Sequence, residues 1–134
     1  MKLCTLTLCV ALAFLSCNKK QNETTPENNI VVKGSISLYI TAMHHTWTVS
    51  NISIFMKKNA TLWPGTDTTL YGWRAVTDAS GTVLIRDLFP GKYYLYAKGF
   101  DSTFGANVIG YIPVDLNSSS VENNEAYYTI PVSE

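Results

Sequence analysis

The chain has little charge and few cysteines, and each shortage excludes a class of function. Only 15% of its 134 residues are charged, and ten basic side chains balance ten acidic ones. Because proteins that bind nucleic acids use a surplus of Lys and Arg to neutralise phosphates, we expect no nucleic-acid partner. Two of the three cysteines, Cys4 and Cys9, lie in an amino-terminal apolar run. Since Cys17 alone follows that run, we expect neither an internal disulfide nor a cysteine metal site.

Apolar runs long enough to cross a bilayer are absent as well. The uncharged run from Leu3 to Leu15 is shorter than the ~20 residues that a membrane helix needs. A short apolar run behind a positive start predicts a secretory signal peptide over residues 1–16. Its end, Ser16-Cys17, resembles the lipobox of bacterial lipoproteins, although Phe14 stands where leucine is usual.

The lipobox resemblance implies that the signal is removed before Cys17 and that the Cys17 thiol carries diacylglycerol. The partner implied is a membrane, reached through the lipid, and the location is the cell envelope at the outer membrane. The face of that membrane stays open, periplasmic or surface. Residues 17–29 hold the lipidated cysteine and a polar stretch that can bury nothing, which predicts a flexible tether. Residues 30–134 then form one domain.

Beyond residue 30, apolar and polar residues alternate with a period of two, and no segment shows the apolar stripe of a helix. The first segment shows apolar residues at Ile36, Leu38, Ile40 and Ala42. This alternation is typical of a strand with one buried face. Seven such segments, separated by turns rich in Gly, Pro, Asn, Asp and Ser, predict an all-β fold, a seven-stranded antiparallel sandwich. Pro113 and Pro131 have no N–H to donate, so we expect both in edge strands or at bulges.

The stretch VTDASGTVLIRDLFPGKYYLYA, residues 76–97, resembles the hairpin signature of transthyretin-like sandwich modules. This group includes carboxypeptidase regulatory-like and Cna B-type domains. The matching positions are Thr77, Asp78, Gly81, Val83, Ile85, Leu88, Pro90, Gly91, Tyr93 and Leu95. The resemblance implies a transthyretin-like Greek-key sandwich and, because the signature is structural, a fold rather than a reaction. A wider likeness, from the paired histidines to Tyr111, is to small lipoproteins of Bacteroidota and carries no known activity.

This chain lacks the residues needed for two activities known in such modules. The hydroxyisourate hydrolases use histidines, an arginine and a carboxy-terminal Tyr-Arg-Gly-Ser tail, whereas this chain ends in Ile-Pro-Val-Ser-Glu. Cna B-type domains often form an isopeptide bond between a Lys of the first strand and an Asn or Asp of the last. Lys33 could supply the amine, but residues 126–132 contain neither acceptor. We therefore expect no enzymatic activity and no cofactor.

The adjacent histidines His44 and His45 suggest a metal site. In a sandwich of this strand order, the loop after the first strand lies at the same end as the loop that contains Asp101. Two imidazoles and one carboxylate suit a zinc-like ion. Adjacent residues of an extended strand point to opposite faces, however, so the histidines would need an irregular backbone to converge. The alternative is a polar strand end whose imidazoles form local hydrogen bonds or face water.

Aromatic residues in or next to loops suggest carbohydrate binding. The candidates are Trp47, Trp63 and Phe104, because an exposed aromatic face can stack on a sugar ring. The alternative is that each ring caps an open end of the core and leaves its polar edge in water. Two triplets, Asp67-Thr68-Thr69 and Asp101-Ser102-Thr103, are also similar to O-glycosylation sites of Bacteroidota.

These observations favour a non-catalytic, lipid-anchored module of the cell envelope with an interaction or structural role. Its further partner would be another envelope protein or a glycan. Two alternatives stay open: a carbohydrate-binding lipoprotein that uses the loop aromatics, and a metal-dependent site at His44, His45 and Asp101.

Overall fold

The computed structural model describes residues 35–134. The expected signal peptide, Cys17, the tether and the start of the domain at Ile30 lie outside the described residues. Within 35–134, no helix has the length and apolarity needed to cross a membrane. The strands are β1 (Ile36–His44), β2 (Trp47–Thr48), β3 (Ser53–Lys58), β4 (Trp73–Val76), β5 (Thr82–Leu88), β6 (Gly91–Asp101), β7 (Ala106–Leu116) and β8 (Glu125–Val132), with a 3₁₀ turn at Thr68–Leu70.

The strands form two four-stranded sheets that enclose one core. In sheet A, β8 pairs with β1 along its whole length, so β5 and β2 share the opposite edge of β1. Sheet B has the order β4-β3-β6-β7, and all of its pairs are antiparallel. The all-β sandwich predicted from the alternation is therefore confirmed.

Two details differ from the seven antiparallel strands expected from the sequence. The described part contains an eighth strand, β2, whose two residues are too few to leave a periodic pattern. In addition, β8 runs parallel to β1. Parallel neighbours need a long connection between them, and β1 and β8 are the first and last strands of the described residues, separated by all of the others. Local alternation carries no signal for such a pairing.

The core lies between the sheets and uses the residues that the alternation predicts for β1. Ile36, Leu38 and Ile40 are fully buried. Burial of each such side chain contributes about 1.5–3 kcal/mol, so slipping β1 by one residue would expose the whole apolar set. Strand β6 is different, because it buries five consecutive residues, 93–97. Both of its faces must therefore be covered.

Both prolines lie in edge strands, as predicted. Pro113 belongs to β7, the outermost strand of sheet B, and Pro131 belongs to β8, the outermost strand of sheet A. The two edges meet at one point, where Ile109 and Ser133 exchange backbone hydrogen bonds of 2.8 Å in both directions. A proline lacks the N–H that an added strand would need, so each protects its edge from further pairing.

The hairpin that resembles the transthyretin-like signature folds as expected. Gly81 has a φ of 77°, and its N–H donates to the Asp78 carbonyl at 3.0 Å. A Cβ at this glycine would collide with the backbone of Val49, so both the turn and the close approach require glycine. Leu88 and Tyr93 contribute to the core, which confirms the direction predicted for their side chains.

We predict that Gly110→Ala destabilises the domain, because the new Cβ would press against the Pro131 carbonyl where β7 approaches β8. Overpacking of this kind costs about 1–3 kcal/mol of unfolding free energy, measurable by urea denaturation. Gly72→Ala is the matched control, since no described residue lies within 4 Å of its Cβ position, and it should be neutral or stabilising by up to about 1 kcal/mol. Equal stability of the two variants would contradict the packing described here.

Candidate functional site

A buried histidine–aspartate pair joins two loops at one end of the sandwich. His44 ends β1 and Asp101 ends β6, and each side chain is only 2% exposed. His44 Nδ1 lies 2.9 Å from Asp101 Oδ2. An ionised carboxylate only accepts hydrogen bonds, so Nδ1 carries the proton and donates. The expectation that these two loops share one end is confirmed.

Asp101 also organises the loop that follows it. Its second carboxylate oxygen accepts the Thr103 N–H at 2.8 Å, and its carbonyl accepts the Gly105 N–H at 2.8 Å. Burial raises the pKa of the Asp101 carboxyl, but hydrogen bonds from His44 and from the N–H groups of Thr103 and Phe104 outweigh burial and hold that pKa below its usual range. The carboxylate therefore stays charged and fixes the loop to β1.

Aromatic rings enclose the pair. His45 has a φ of 54°, the irregular backbone that convergence of the histidines requires, and its ring stacks on that of His44 at 4.4 Å and 19°. Phe104 contacts both rings edge-on, at 4.9 Å from His44 and 5.4 Å from His45. We call His44, His45, Asp101 and Phe104 the end cluster.

The end cluster brings the three predicted metal ligands together, but it does not direct them at one metal ion. A metal binds an imidazole nitrogen in the plane of the ring, and two nearly parallel stacked rings do not direct their nitrogens to one point. His44 Nδ1 is also occupied by Asp101. Within 35–134, no group of three His, Cys, Asp or Glu side chains could hold a metal ion. The arrangement therefore disfavours a metal ion bound jointly by His44, His45 and Asp101.

The three aromatic candidates for sugar binding do not form one platform. Trp47 is 63% exposed and pairs with His44 in the β1–β2 hairpin, and Phe104, 45% exposed, lies in the end cluster. Trp63 lies elsewhere, stacked on Tyr111 of β7 at 4.2 Å and 9°. Only Trp47 and Phe104 therefore belong to the same end of the sandwich.

A second aromatic cluster on the outer face of sheet B was not predicted from the sequence. Phe55, Tyr71 and Tyr96 pack together there, and the Tyr71 hydroxyl donates to the Gly65 carbonyl at 2.7 Å. The loop between β3 and β4 thus covers the outer side of the sheet, and burial raises the pKa of Tyr96. The unbroken apolar run at 93–97 is the signal that could have revealed it, because it indicates a strand covered on both faces.

A stacked tyrosine pair lies on the outer face of sheet A. The rings of Tyr39 and Tyr127 are 4.8 Å apart at 7°, and both hydroxyls donate to Glu125, Tyr127 at 2.6 Å and Tyr39 at 3.3 Å. The hydrogen bond to the Glu125 carboxylate raises the pKa of Tyr127 to about 12. The pair joins β1 to β8 from outside, and alternation gave no sign of it because both residues occupy solvent-facing positions.

Comparisons with known proteins concern the fold. No protein-family model and no curated protein sequence matches the chain. Among solved structures, BcpA, the major pilin subunit of Bacillus cereus, is similar with a TM-score of 0.50 and 13% identity over 75% of this chain. A variant of that subunit gives 0.49 and 13% over 74%. The matched part is 30% of each pilin chain, and the likeness concerns the β-sandwich fold alone.

We predict that Asp101→Asn lowers stability in a pH-dependent way. The folded-state pKa of Asp101 lies below its ordinary value of 3.8, so its stabilising contribution is present above about pH 4 and is lost as the pH falls through the folded pKa. The urea midpoint of the variant should be below that of the wild type at pH 7, and the gap should shrink below pH 4. Asp67 and Asp78 also have lowered pKa values, but they are unchanged in both proteins.

The matched control for that comparison is Asp87→Asn, which alters an exposed carboxylate on β5. It should leave the urea midpoint unchanged at both pH values. A gap for Asp101→Asn that stays constant on acidification would contradict the role of the ionised carboxylate.

We predict that Trp63 and Tyr111 stabilise each other. In a double-mutant cycle with Trp63→Ala and Tyr111→Ala, urea unfolding should give a coupling of about 0.5–1.5 kcal/mol, the usual range for a stacked aromatic pair. The matched control pairs Trp47→Ala with Tyr111→Ala, two residues in different parts of the fold, and should be additive. No coupling in the first cycle would show that Trp63 does not hold the loop onto sheet B.

Proposed function

We propose that this chain is a non-catalytic β-sandwich module of the cell envelope, anchored by a lipid on Cys17, with an interaction or structural role. The observation that carries the proposal is the end cluster. Within residues 35–134, His44 is the buried histidine and Asp101 the buried carboxylate. Their side chains bond to each other, and Asp101 also accepts the Thr103 N–H. The pair holds the loop after β1 and the loop after β6 together.

A catalytic role for the pair is disfavoured by its surroundings. In catalytic His–Asp pairs the carboxylate orients the imidazole, whose second nitrogen faces a nucleophile or substrate. Here His44 is 2% exposed, with His45 stacked on its face and Phe104 at its edge. A substrate therefore has little access to the ring.

The likeness to a pilin subunit supports the same proposal at the level of architecture. A pilin subunit is a building block of a surface structure, and a sandwich of related fold suits a similar non-enzymatic role outside the cell. The edge strands of the two sheets add to that support. The prolines in β7 and β8 limit pairing of these edges with strands of other molecules.

Carbohydrate binding at the sandwich end is the second candidate function. It is favoured by Trp47, whose indole is 63% exposed beside the rigid end cluster. Soluble proteins bury most large aromatic side chains, and tryptophan is enriched at binding surfaces. Loss of carbohydrate binding in Trp47→Ala, but not in Lys98→Ala, would place the site at this end of the sandwich.

We predict that Cys17→Ser releases the protein from the membrane fraction, because the serine cannot form the thioether that holds diacylglycerol. Two or more acyl chains give stable anchoring, so the wild type should stay in the membrane fraction after a high-salt wash. Cys9→Ser is the matched control and should stay in that fraction, since this cysteine precedes the expected cleavage site. Mass spectrometry should find the lipid on Cys17, and retention of Cys17→Ser after the wash would overturn the anchor.

A further inference from the structure

The outer face of sheet B carries an open groove that lies outside the end cluster. Its lining includes Ser53 of β3, Lys98 and Phe100 of β6, and Asn107 and Ile109 of β7. The pairing register places Ser53, Lys98 and Ile109 in one row across three strands. The groove has a volume of about 440 Å³, a size that a small ligand or a segment of a polymer can occupy.

The groove is positively charged. Lys98 Nζ lies 5.8 Å from the centre of the Phe55 ring, and the Arg74 guanidinium carbon lies 5.6 Å from it. Arg74 Nη2 also donates to Ser53 Oγ at 3.0 Å, so both cations are held at the same part of the face. Among the described residues, no Asp or Glu lines the groove. Apart from Arg86 of β5, every Lys and Arg of residues 35–134 lies in sheet B.

Exposed apolar surfaces flank these cations. Phe100 is 54% exposed and Ile109 is 42% exposed. Next to Ile109 along β7, Tyr111 covers one face of the Trp63 ring, and the two remain 46% and 38% exposed. Clustered exposed apolar side chains on a soluble domain commonly mark a binding surface.

A ligand that fits this groove must offer apolar ring faces and negative charge together. A sugar ring presents its C–H groups to an aromatic side chain, and a carboxylate on that ring forms charge-assisted hydrogen bonds with Lys and Arg. A lipid bilayer is planar and does not enter a groove, and a second copy of this chain would bring like charges together. An acidic polysaccharide meets both requirements.

We propose that this groove binds an anionic polysaccharide whose sugar rings carry carboxylates. Arg74 and Lys98 pair with the carboxylates, while Phe100 and the Trp63–Tyr111 stack contact the rings. The proposal depends neither on the lipid anchor nor on the end cluster, so it can fail while the proposed function stands, and the reverse also holds.

The test is isothermal titration calorimetry of the full-length chain in a non-ionic detergent with oligogalacturonate. Lys98→Ala and Phe100→Ala should each weaken binding at least about tenfold, the loss expected for a charged or aromatic contact. Arg86→Ala, which removes a cation from sheet A, is the matched control and should bind like the wild type. Urea midpoints equal to that of the wild type will show that the variants fold.

Three further ligands are compared with oligogalacturonate. A neutral glucan of the same length, single-stranded DNA and the short-chain anionic lipid dihexanoyl phosphatidylglycerol should each bind at least about tenfold more weakly than oligogalacturonate. Tighter binding of any of them, or no binding of oligogalacturonate, would overturn the proposal. The proposal would also be overturned if Trp47→Ala lost oligogalacturonate binding while Lys98→Ala kept it. That result would place the site at the end of the sandwich. Finally, a dimer in size-exclusion chromatography that Lys98→Ala dissociates would identify a second copy as the occupant.

Discussion

Every part of this domain depends on the position of β1. The strand is hydrogen-bonded on both edges, to β8 along its whole length and to β5 and β2 on the other side. Its inner face is buried without remainder, at Ile36, Leu38, Ile40 and Ala42. A strand constrained on two edges and one face has a single register. Its last residue, His44, is therefore delivered to a fixed point at the end of the sandwich.

The two sheets are organised around different kinds of contact. Sheet A leaves its outer face to water and to one stacked tyrosine pair. Sheet B is covered from outside by the loop between β3 and β4, which adds a small aromatic core to the main one. This second layer has a consequence for charge, because Phe55 fixes the positions of Arg74 and Lys98 beside the groove. Phe55 therefore both packs in the outer aromatic cluster and positions the two cations.

Residue patterns predict the parts of this fold that arise from local burial. The alternation in β1, the turn at Gly81 and the edge positions of Pro113 and Pro131 follow from the chemistry of single segments, and all are confirmed. The parallel pairing of β8 and the cover over Tyr96 depend on chain paths that no local pattern encodes. Lipidation of Cys17 stays a prediction.

The same division applies to the candidate site. The proximity of His44 and Asp101 follows from strand order, so it could be predicted. The stacking of His45 on His44 depends on a positive φ in a tight turn, and the partner of Trp63 depends on where a long loop lies. Residue types alone therefore left two alternatives open at each place: a metal site or local hydrogen bonds at the histidines, and a sugar platform or caps of the core at the aromatics. The folded backbone gives a His44–Asp101 hydrogen bond and a Trp63–Tyr111 stack.

The parallel pairing of β1 with β8 determines how the domain bears a mechanical load. Tension applied between the residues ahead of Ile36 and those after Val132 acts along β1 and β8, and the hydrogen bonds between these strands lie across that direction. The register from Ser37–Glu125 to His44–Val132 is then loaded in shear, with all of its bonds sharing the force at once. A hairpin pulled apart from its open end would instead lose its bonds one after another. Tension between the two ends of the described residues is therefore resisted by this one pairing.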